Sequence, residues 1–208
     1  MEYHRIKFSG PAIVVAFDMC SSSNIIEQLT LNGDVSRLNT FLGSLKRYLA
    51  KQQSNVMFDP YKFTGDGWIL LFPPNTSGVA LASFLMDICQ FYAREYQKTL
   101  KPYLAIQPSV AGLTFGIDKG PIEHLIMYGQ PEYVGRAINI ACRLQGAVKD
   151  KGGTPANKAL VSNAVYAEYF KGAKFPKVFR ARRTLRNINY DAIYNCRKIE
   201  LVATSAGL

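Results

Sequence analysis

The sequence predicts an α+β fold, a single mixed β-sheet with flanking helices, and three observations support it. The composition is that of a folded chain, with 48% of the 208 residues hydrophobic and 19% charged. Short apolar runs rich in Val and Ile alternate with segments of helical period. The elements follow one another as strand, helix, hairpin, helix, hairpin, helix, an order that one sheet covered by helices accommodates. No repeat, low-complexity tract or linker interrupts it, so residues 1–208 are expected to form one domain. A chain of this length buries about 70% of its unfolded surface and needs neither disulfide nor metal to fold.

Pro11 to Phe17 is a continuous apolar run, the pattern of a buried strand, and it ends at Asp18 before the small polar run Ser21-Ser22-Ser23. From Asp34 to Gln52, Val35, Leu38, Phe41, Leu42, Leu45, Tyr48 and Leu49 recur at three- and four-residue steps. This predicts an amphipathic helix with Asn32 or Asp34 as its cap. Val56 to Phe63 and Trp68 to Phe72 read as strands joined through Thr64-Gly65-Asp66-Gly67, a tight hairpin. Pro73 and Pro74 stop the second strand, and Thr76 or Ser77 caps a helix through Gln97 that turns Leu81, Phe84, Leu85, Ile88 and Tyr92 inward. Val110 to Asp118 and Ile122 to Tyr128 predict a second hairpin around Lys119-Gly120-Pro121. Tyr133 to Val148 predicts a helix with Ala137, Ile138, Ala141 and Leu144 on its apolar side. Beyond a turn at Asp150 to Thr154, the pattern predicts a strand at Leu160 to Ser162 and a helix at Asn163 to Phe170. A terminal hairpin follows, from Lys177 to Arg182 and Ala192 to Val202.

Charge narrows the partners. Lys and Arg number 25 against 15 Asp and Glu, a net +10. Gly146 to Glu200 alone holds twelve basic and four acidic residues. Such a flank favours anionic partners. No apolar run approaches the roughly 18 to 20 residues of a membrane span. Met1 to Pro11 carries Glu2, His4, Arg5 and Lys7 with no long apolar core, unlike a secretory signal. Cys20, Cys89, Cys142 and Cys196 are scattered, and only His4 and His124 accompany them. Reduced thiols in a cytoplasmic protein are the expectation, not a zinc site. His124 is expected as a satisfied structural histidine and Trp68 as a core or interface residue.

Two aspartates stand out. Asp18 ends a buried strand and Asp66 tips a hairpin, and neighbouring strands of one sheet bring such positions to the same edge. Two converging carboxylates hold two divalent cations, which need few protein ligands when a substrate phosphate supplies the rest. Taken singly, an Asp at a strand end is an ordinary turn residue and Gly-Asp-Gly an ordinary hairpin tip. A third segment changes the balance. In it Asn139 and Arg143 stand four apart, on one helical face.

Read together, Val14 to Ser23 (VVAFDMCSSS), Tyr61 to Leu70 (YKFTGDGWIL) and Gly129 to Gln145 (GQPEYVGRAINIACRLQ) resemble the three signature stretches of class III nucleotidyl cyclases. Gly116 to Leu125 (GIDKGPIEHL) is similar to the family's glycine-containing segment before the last of them. The resemblance covers Ala12 to Gln145 and implies the family's ferredoxin-like catalytic domain. It implies that Asp18 and Asp66 bind two Mg²⁺ or Mn²⁺ ions per site with help from the backbone carbonyl of Met19. Lys62 and Glu132 fall where the family contacts the base, Asn139 where it orients the ribose, and Arg143 where it stabilises charge on the α-phosphate. Arg186 lies near the family's basic contact to the terminal phosphates. The site then spans a head-to-tail homodimer, the two aspartates from one chain and Lys62, Glu132, Asn139 and Arg143 from the other.

The residue chemistry agrees. Cyclisation needs the ribose 3′-oxygen in line with the α-phosphorus, and an amide such as that of Asn139 holds the sugar there. Charge growing on the phosphoryl oxygens is met by guanidinium and metal. A divalent cation acidifies the attacking hydroxyl, so no dedicated His base is required.

A Lys donor with a Glu acceptor fits uracil, cytosine or adenine and disfavours guanine. Glu132 is one methylene longer than the family's usual Asp, with Tyr133 and Arg136 as bulky neighbours, which favours a one-ring base. The short chain also resembles the pyrimidine cyclases of bacterial anti-phage (Pycsar) systems. That resemblance implies cyclic UMP synthesis from UTP, ahead of CTP and then ATP, with a separate effector protein reading the product. The alternative from another class is a nucleic-acid-binding module built on Lys171 to Arg186 (KGAKFPKVFRARRTLR), where basic and aromatic residues interleave. Against it, the segment is expected to be a solvated sheet edge with its aromatics in the core. No stable nucleic-acid or membrane partner is expected.

Overall fold

The computed structural model describes residues 10–149, 154–188, 190 and 192–202. In chain order it contains β1 (Gly10–Met19), α1 (Ser22–Leu31), α2 (Val35–Gln52), β2 (Asp59–Phe63), β3 (Gly67–Phe72), α3 (Gly78–Thr99), β4 (Leu113–Met127) and β5 (Gln130–Val134). There follow α4 (Arg136–Gly146), β6 (Lys158–Ser162), the short α5 (Asn163–Val165) with a π turn at Tyr166–Phe170, β7 (Lys177–Thr184) and β8 (Ile193–Glu200). The architecture is α+β, as predicted. Its strands run in the order β2-β3-β1-β4-β6-β8-β7, with β5 paired to the far end of β4. β4 and β6 are parallel, and the other pairs are antiparallel. The sheet is therefore mixed.

Side chains alternate across β1 and split the core between the two faces. Ile13, Val15 and Phe17 join Ile25 of α1, Phe41 and Leu45 of α2, and Phe84 and Ile88 of α3. Ala12, Val14 and Ala16 face the other way, against Ala137 and Ala141 of α4. Farther along α4, Ile140 and Leu144 cover Leu160 of β6 and Cys196 of β8. One face thus carries α1, α2 and α3 with α5 beside them, and the other carries α4.

Several expectations are corrected. The Lys119-Gly120-Pro121 hairpin does not form, because β4 runs 15 residues straight through it. Ala12 pairs with Gly120, and Pro11 with Pro121. Two residues that cannot donate stand opposite each other, so that rung presents no unmatched donor. The chain turns instead at Tyr128 and Gly129, with φ values of 49° and 73°, the positive pair of a tight hairpin. Gln130–Val134 is consequently a strand, and the helix predicted from Tyr133 begins at Arg136. The small run after Asp18 opens α1, which buries Ser22, Ile25 and Leu29. Asp34 and Ser77 occupy N-cap positions without a side-chain cap hydrogen bond. Of the turn predicted at Asp150 to Thr154, residues 150–153 lie outside the described residues. No helix among the described residues is long and apolar enough to cross a membrane.

Candidate active site

Asp18 lies in the last turn of pleat of β1, opposite Gly67 on β3 and Thr114 on β4. Its neighbour β3 approaches unusually closely. A Cβ on Gly67 would fall 1.9 Å from the carbonyl oxygen of Phe17 and 2.9 Å from Cα of Asp18. Only a residue without a side chain fits there, and the approach carries Asp66, one residue earlier, to the end of β1. Asp18 and Asp66 line the same cavity.

Burial first, then the hydrogen bond and charge of Asp66, push the Asp18 carboxyl up to about 7. A backbone hydrogen bond at Met19 and the charge of Lys149 act in the opposite direction. Two carboxylates close enough to share a proton, half sunk in the protein, form a site short of positive charge. Hard oxygen donors of this kind fit Mg²⁺ or Mn²⁺. No group of three or more His, Cys, Asp and Glu is gathered among the described residues. The donor set therefore suits an ion that takes its remaining ligands from water and substrate.

These carboxylates open into a cavity of about 570 Å³ that Met19, the Ser21–Asn24 segment, Thr114 and Lys149 also line. The Met19 side chain is in the core and 3% exposed, which leaves its backbone to face the cavity. Thr114 donates through Oγ1 to the Asp18 carbonyl at 3.4 Å and accepts from Nε2 of Gln145 at 2.8 Å. This ties the last turn of α4 to the aspartate strand.

Lys62 and Glu132 meet on a second patch. The Lys62 ammonium lies 3.1 and 3.0 Å from Glu132 Oε1 and Oε2. Tyr61, which the sequence reading passed over, also donates its hydroxyl to Glu132 and accepts the Tyr133 N–H at 3.1 Å. Neighbours on a regular strand point to opposite faces. Here the ladder slips: Asp59 pairs with Leu71 but Lys62 with Ile69, so β2 holds one extra residue. That bulge lets Tyr61 and Lys62 serve one carboxylate. Burial, then the bond to Glu132, pushes the Tyr61 phenol up to about 12, so it remains a donor. Tyr61 lies in the Tyr61–Leu70 stretch, but nothing local to the sequence announces the bulge, which exists only against β3.

Asn139 and Arg143 are exposed on α4, on the side away from buried Ala137, Ile140, Ala141 and Leu144. The helix lies hard on the sheet at Gly116, where a Cβ would fall 1.9 Å from the Ala141 carbonyl oxygen. Among the described residues, no side-chain hydrogen bond or ion pair engages Asn139 or Arg143. Arg186 is exposed just past β7, beside buried Leu185. No contact among the described residues links it to either carboxylate group. The structure thus brings together Asp18 with Asp66, and Lys62 with Glu132, within the chain. It leaves Asn139, Arg143 and Arg186 facing outward.

Two bland expectations also shift. His124 stands edge-on to Tyr133, ring centroids 5.3 Å apart, and its Nε2 is buried with no hydrogen-bond partner among the described residues. Phe179, expected in the core, is 46% exposed on β7, whereas Phe175 packs inward and Trp68 is buried.

No family model matches the sequence, and none of the curated proteins does. Solved structures match the fold along almost its whole length. The adenylyl cyclase CyaB from P. aeruginosa superposes with a TM-score of 0.67 at 16% identity, over 95% of this chain and 97% of that one. The guanylyl cyclase Cya2 gives 0.67 at 16%, over 97% and 98%. An adenylate cyclase from Trypanosoma brucei gives 0.65 at 14%, over 94% and 91%. The fold is that of the class III nucleotidyl cyclase catalytic domain.

Proposed function

We propose that the chain is a metal-dependent nucleotidyl cyclase. It converts a nucleoside triphosphate, UTP ahead of CTP and ATP, into a 3′,5′-cyclic nucleotide and pyrophosphate. The observation that carries this reading is the meeting of Asp18 and Asp66 at one cavity, at positions 48 residues apart in sequence and in a fold shared with known cyclases.

In the reaction the ribose 3′-oxygen forms a bond to the α-phosphorus and the α–β phosphoanhydride bond breaks. Pyrophosphate departs and the hydroxyl proton passes to solvent. Two divalent cations held by Asp18, Asp66 and the Met19 carbonyl would neutralise the triphosphate and acidify the hydroxyl. Lys62 and Glu132 read the base edge as donor and acceptor. Asn139 holds the ribose and Arg143 meets the charge that grows on the α-phosphate. Arg186 meets the terminal phosphates.

The outward placement of Asn139 and Arg143, with no side-chain partner among the described residues, supports a site completed by a second copy, a homodimer. Glu132 already accepts from Tyr61 and Lys62, which disfavours guanine with its two adjacent donors. The resemblance to pyrimidine cyclases supports cyclic UMP as an anti-phage second messenger, made in the cytoplasm and read by a separate effector. The test is incubation of purified protein with Mn²⁺ or Mg²⁺ and each of ATP, CTP, GTP and UTP, with products read by mass spectrometry. A single cyclic pyrimidine is expected. Cyclic AMP alone would keep the enzyme class and remove the pyrimidine reading, and no cyclic product from any of the four would remove the reading altogether.

A further inference from the structure

We infer that Lys149 holds the phosphate tail of the substrate from the same chain that supplies Asp18 and Asp66. The inference deepens the cyclase reading and rests on it.

Lys149 stands three residues beyond α4 and lines the aspartate cavity. Its place there is built. Val148 is fully buried against Leu160 of β6. Ala147 and Val148 close the helix end through N–H bonds to the carbonyls of Arg143, Leu144 and Gln145. Gln145 in turn bonds Thr114, and Thr114 bonds the Asp18 carbonyl. Two hydrogen bonds thus connect the turn that carries Lys149 to the strand that carries Asp18.

Charge gives the ammonium its purpose. It lines the same cavity as Asp18 and Asp66, and no ion pair among the described residues holds it. Among the described residues lining the cavity it is the one cation, beside the two carboxylates and the neutral Ser21–Asn24 segment. Helix α1 opens there with no acidic side chain in its first turn. A triphosphate drawn in by divalent cations carries about four negative charges, more than the cations and carboxylates together balance. A flexible ammonium is a suitable point-charge partner for phosphate oxygens. The metal side of the site then binds polyphosphate without help from the base- and ribose-binding residues.

Inorganic tripolyphosphate, which has no base or ribose, isolates this step. Its binding to the full-length protein in Mn²⁺ is measured by titration calorimetry for wild type, Lys149→Met and Lys149→Arg, alongside Mn²⁺ alone. Lys149→Met should weaken tripolyphosphate about tenfold. The same variant should bind Mn²⁺ alone at least as tightly, because a repelling charge has gone. Lys149→Arg should stay close to wild type. Equal tripolyphosphate affinity in wild type and Lys149→Met overturns the inference and leaves the cyclase reading standing. Loss of Mn²⁺ and tripolyphosphate binding together in Lys149→Met marks a structural role and also overturns it. A wild type that binds no tripolyphosphate in Mn²⁺ overturns both.

Discussion

Gly67 faces Asp18 across the β1–β3 ladder, and the absence of a side chain at Gly67 sets how closely the two strands pass at the aspartates. A methyl group there has no room, since backbone atoms and not a movable side chain occupy the space. Gly67→Ala should destabilise the fold by about 1–3 kcal/mol and separate Asp66 from Asp18. Thermal unfolding and Mn²⁺ titration check both effects. An unchanged melting temperature with wild-type Mn²⁺ affinity would contradict this account of the hairpin.

Asp66 is half-buried at a hairpin tip, and its removal leaves the core intact. Asp66→Ala should lower turnover by at least about 10²-fold without changing the elution volume of the protein. Arg143→Ala, on the outer face of α4, should do the same. If each site draws its aspartates from one chain and its α4 residues from the other, mixed inactive variants form one intact site per heterodimer. Partial recovery of cyclic nucleotide on mixing is expected, and no recovery would count against the shared site.

Asp18 makes metal-free stability depend on pH. Its folded-state value of about 7 lies above the ordinary 3.8. Between those values the unfolded chain binds fewer protons than the native one, so stability falls as pH rises through the window and levels off above about 7. In EDTA, Asp18→Asn should therefore melt higher than wild type at pH 8, with the gap closing towards pH 4. Mn²⁺ should reverse the order at pH 8, because it binds the ionised pair. Equal melting curves in EDTA at pH 8 would show that the carboxyl carries no penalty.

Tyr61 occupies one acceptor position of Glu132 and so limits what a base can ask of that carboxylate. Tyr61→Phe should relax discrimination against GTP about tenfold, read as the ratio of kcat/KM for GTP to that for the preferred substrate. Overall folding should be little affected, since the ring stays packed on Tyr133. An unaltered ratio would remove Tyr61 from substrate selection.

Much of this molecule is set by local pattern. The apolar run up to Asp18, the Gly-Asp-Gly turn carrying Asp66, and the four-residue spacing of Asn139 and Arg143 depend only on strand and helix periods and on turn chemistry. These features are legible along the chain, and so is the α+β order they punctuate. The features that were not legible depend on which distant segments pair. Lys119-Gly120-Pro121 has the chemistry of a turn, yet pairing with Pro11–Ile13 keeps it extended because the ladder offers more than a local turn does. The extra residue in β2 that aims both Tyr61 and Lys62 at Glu132 exists only against β3. Lys149 lines the aspartate cavity because α4 is pressed onto Gly116 and bonded to Thr114, contacts made between segments well separated in sequence. Residue types and their spacing along each element are local properties of the chain. Which of them share a cavity is a property of the fold, because strand register and helix-to-sheet packing arise from burial between segments remote in the chain.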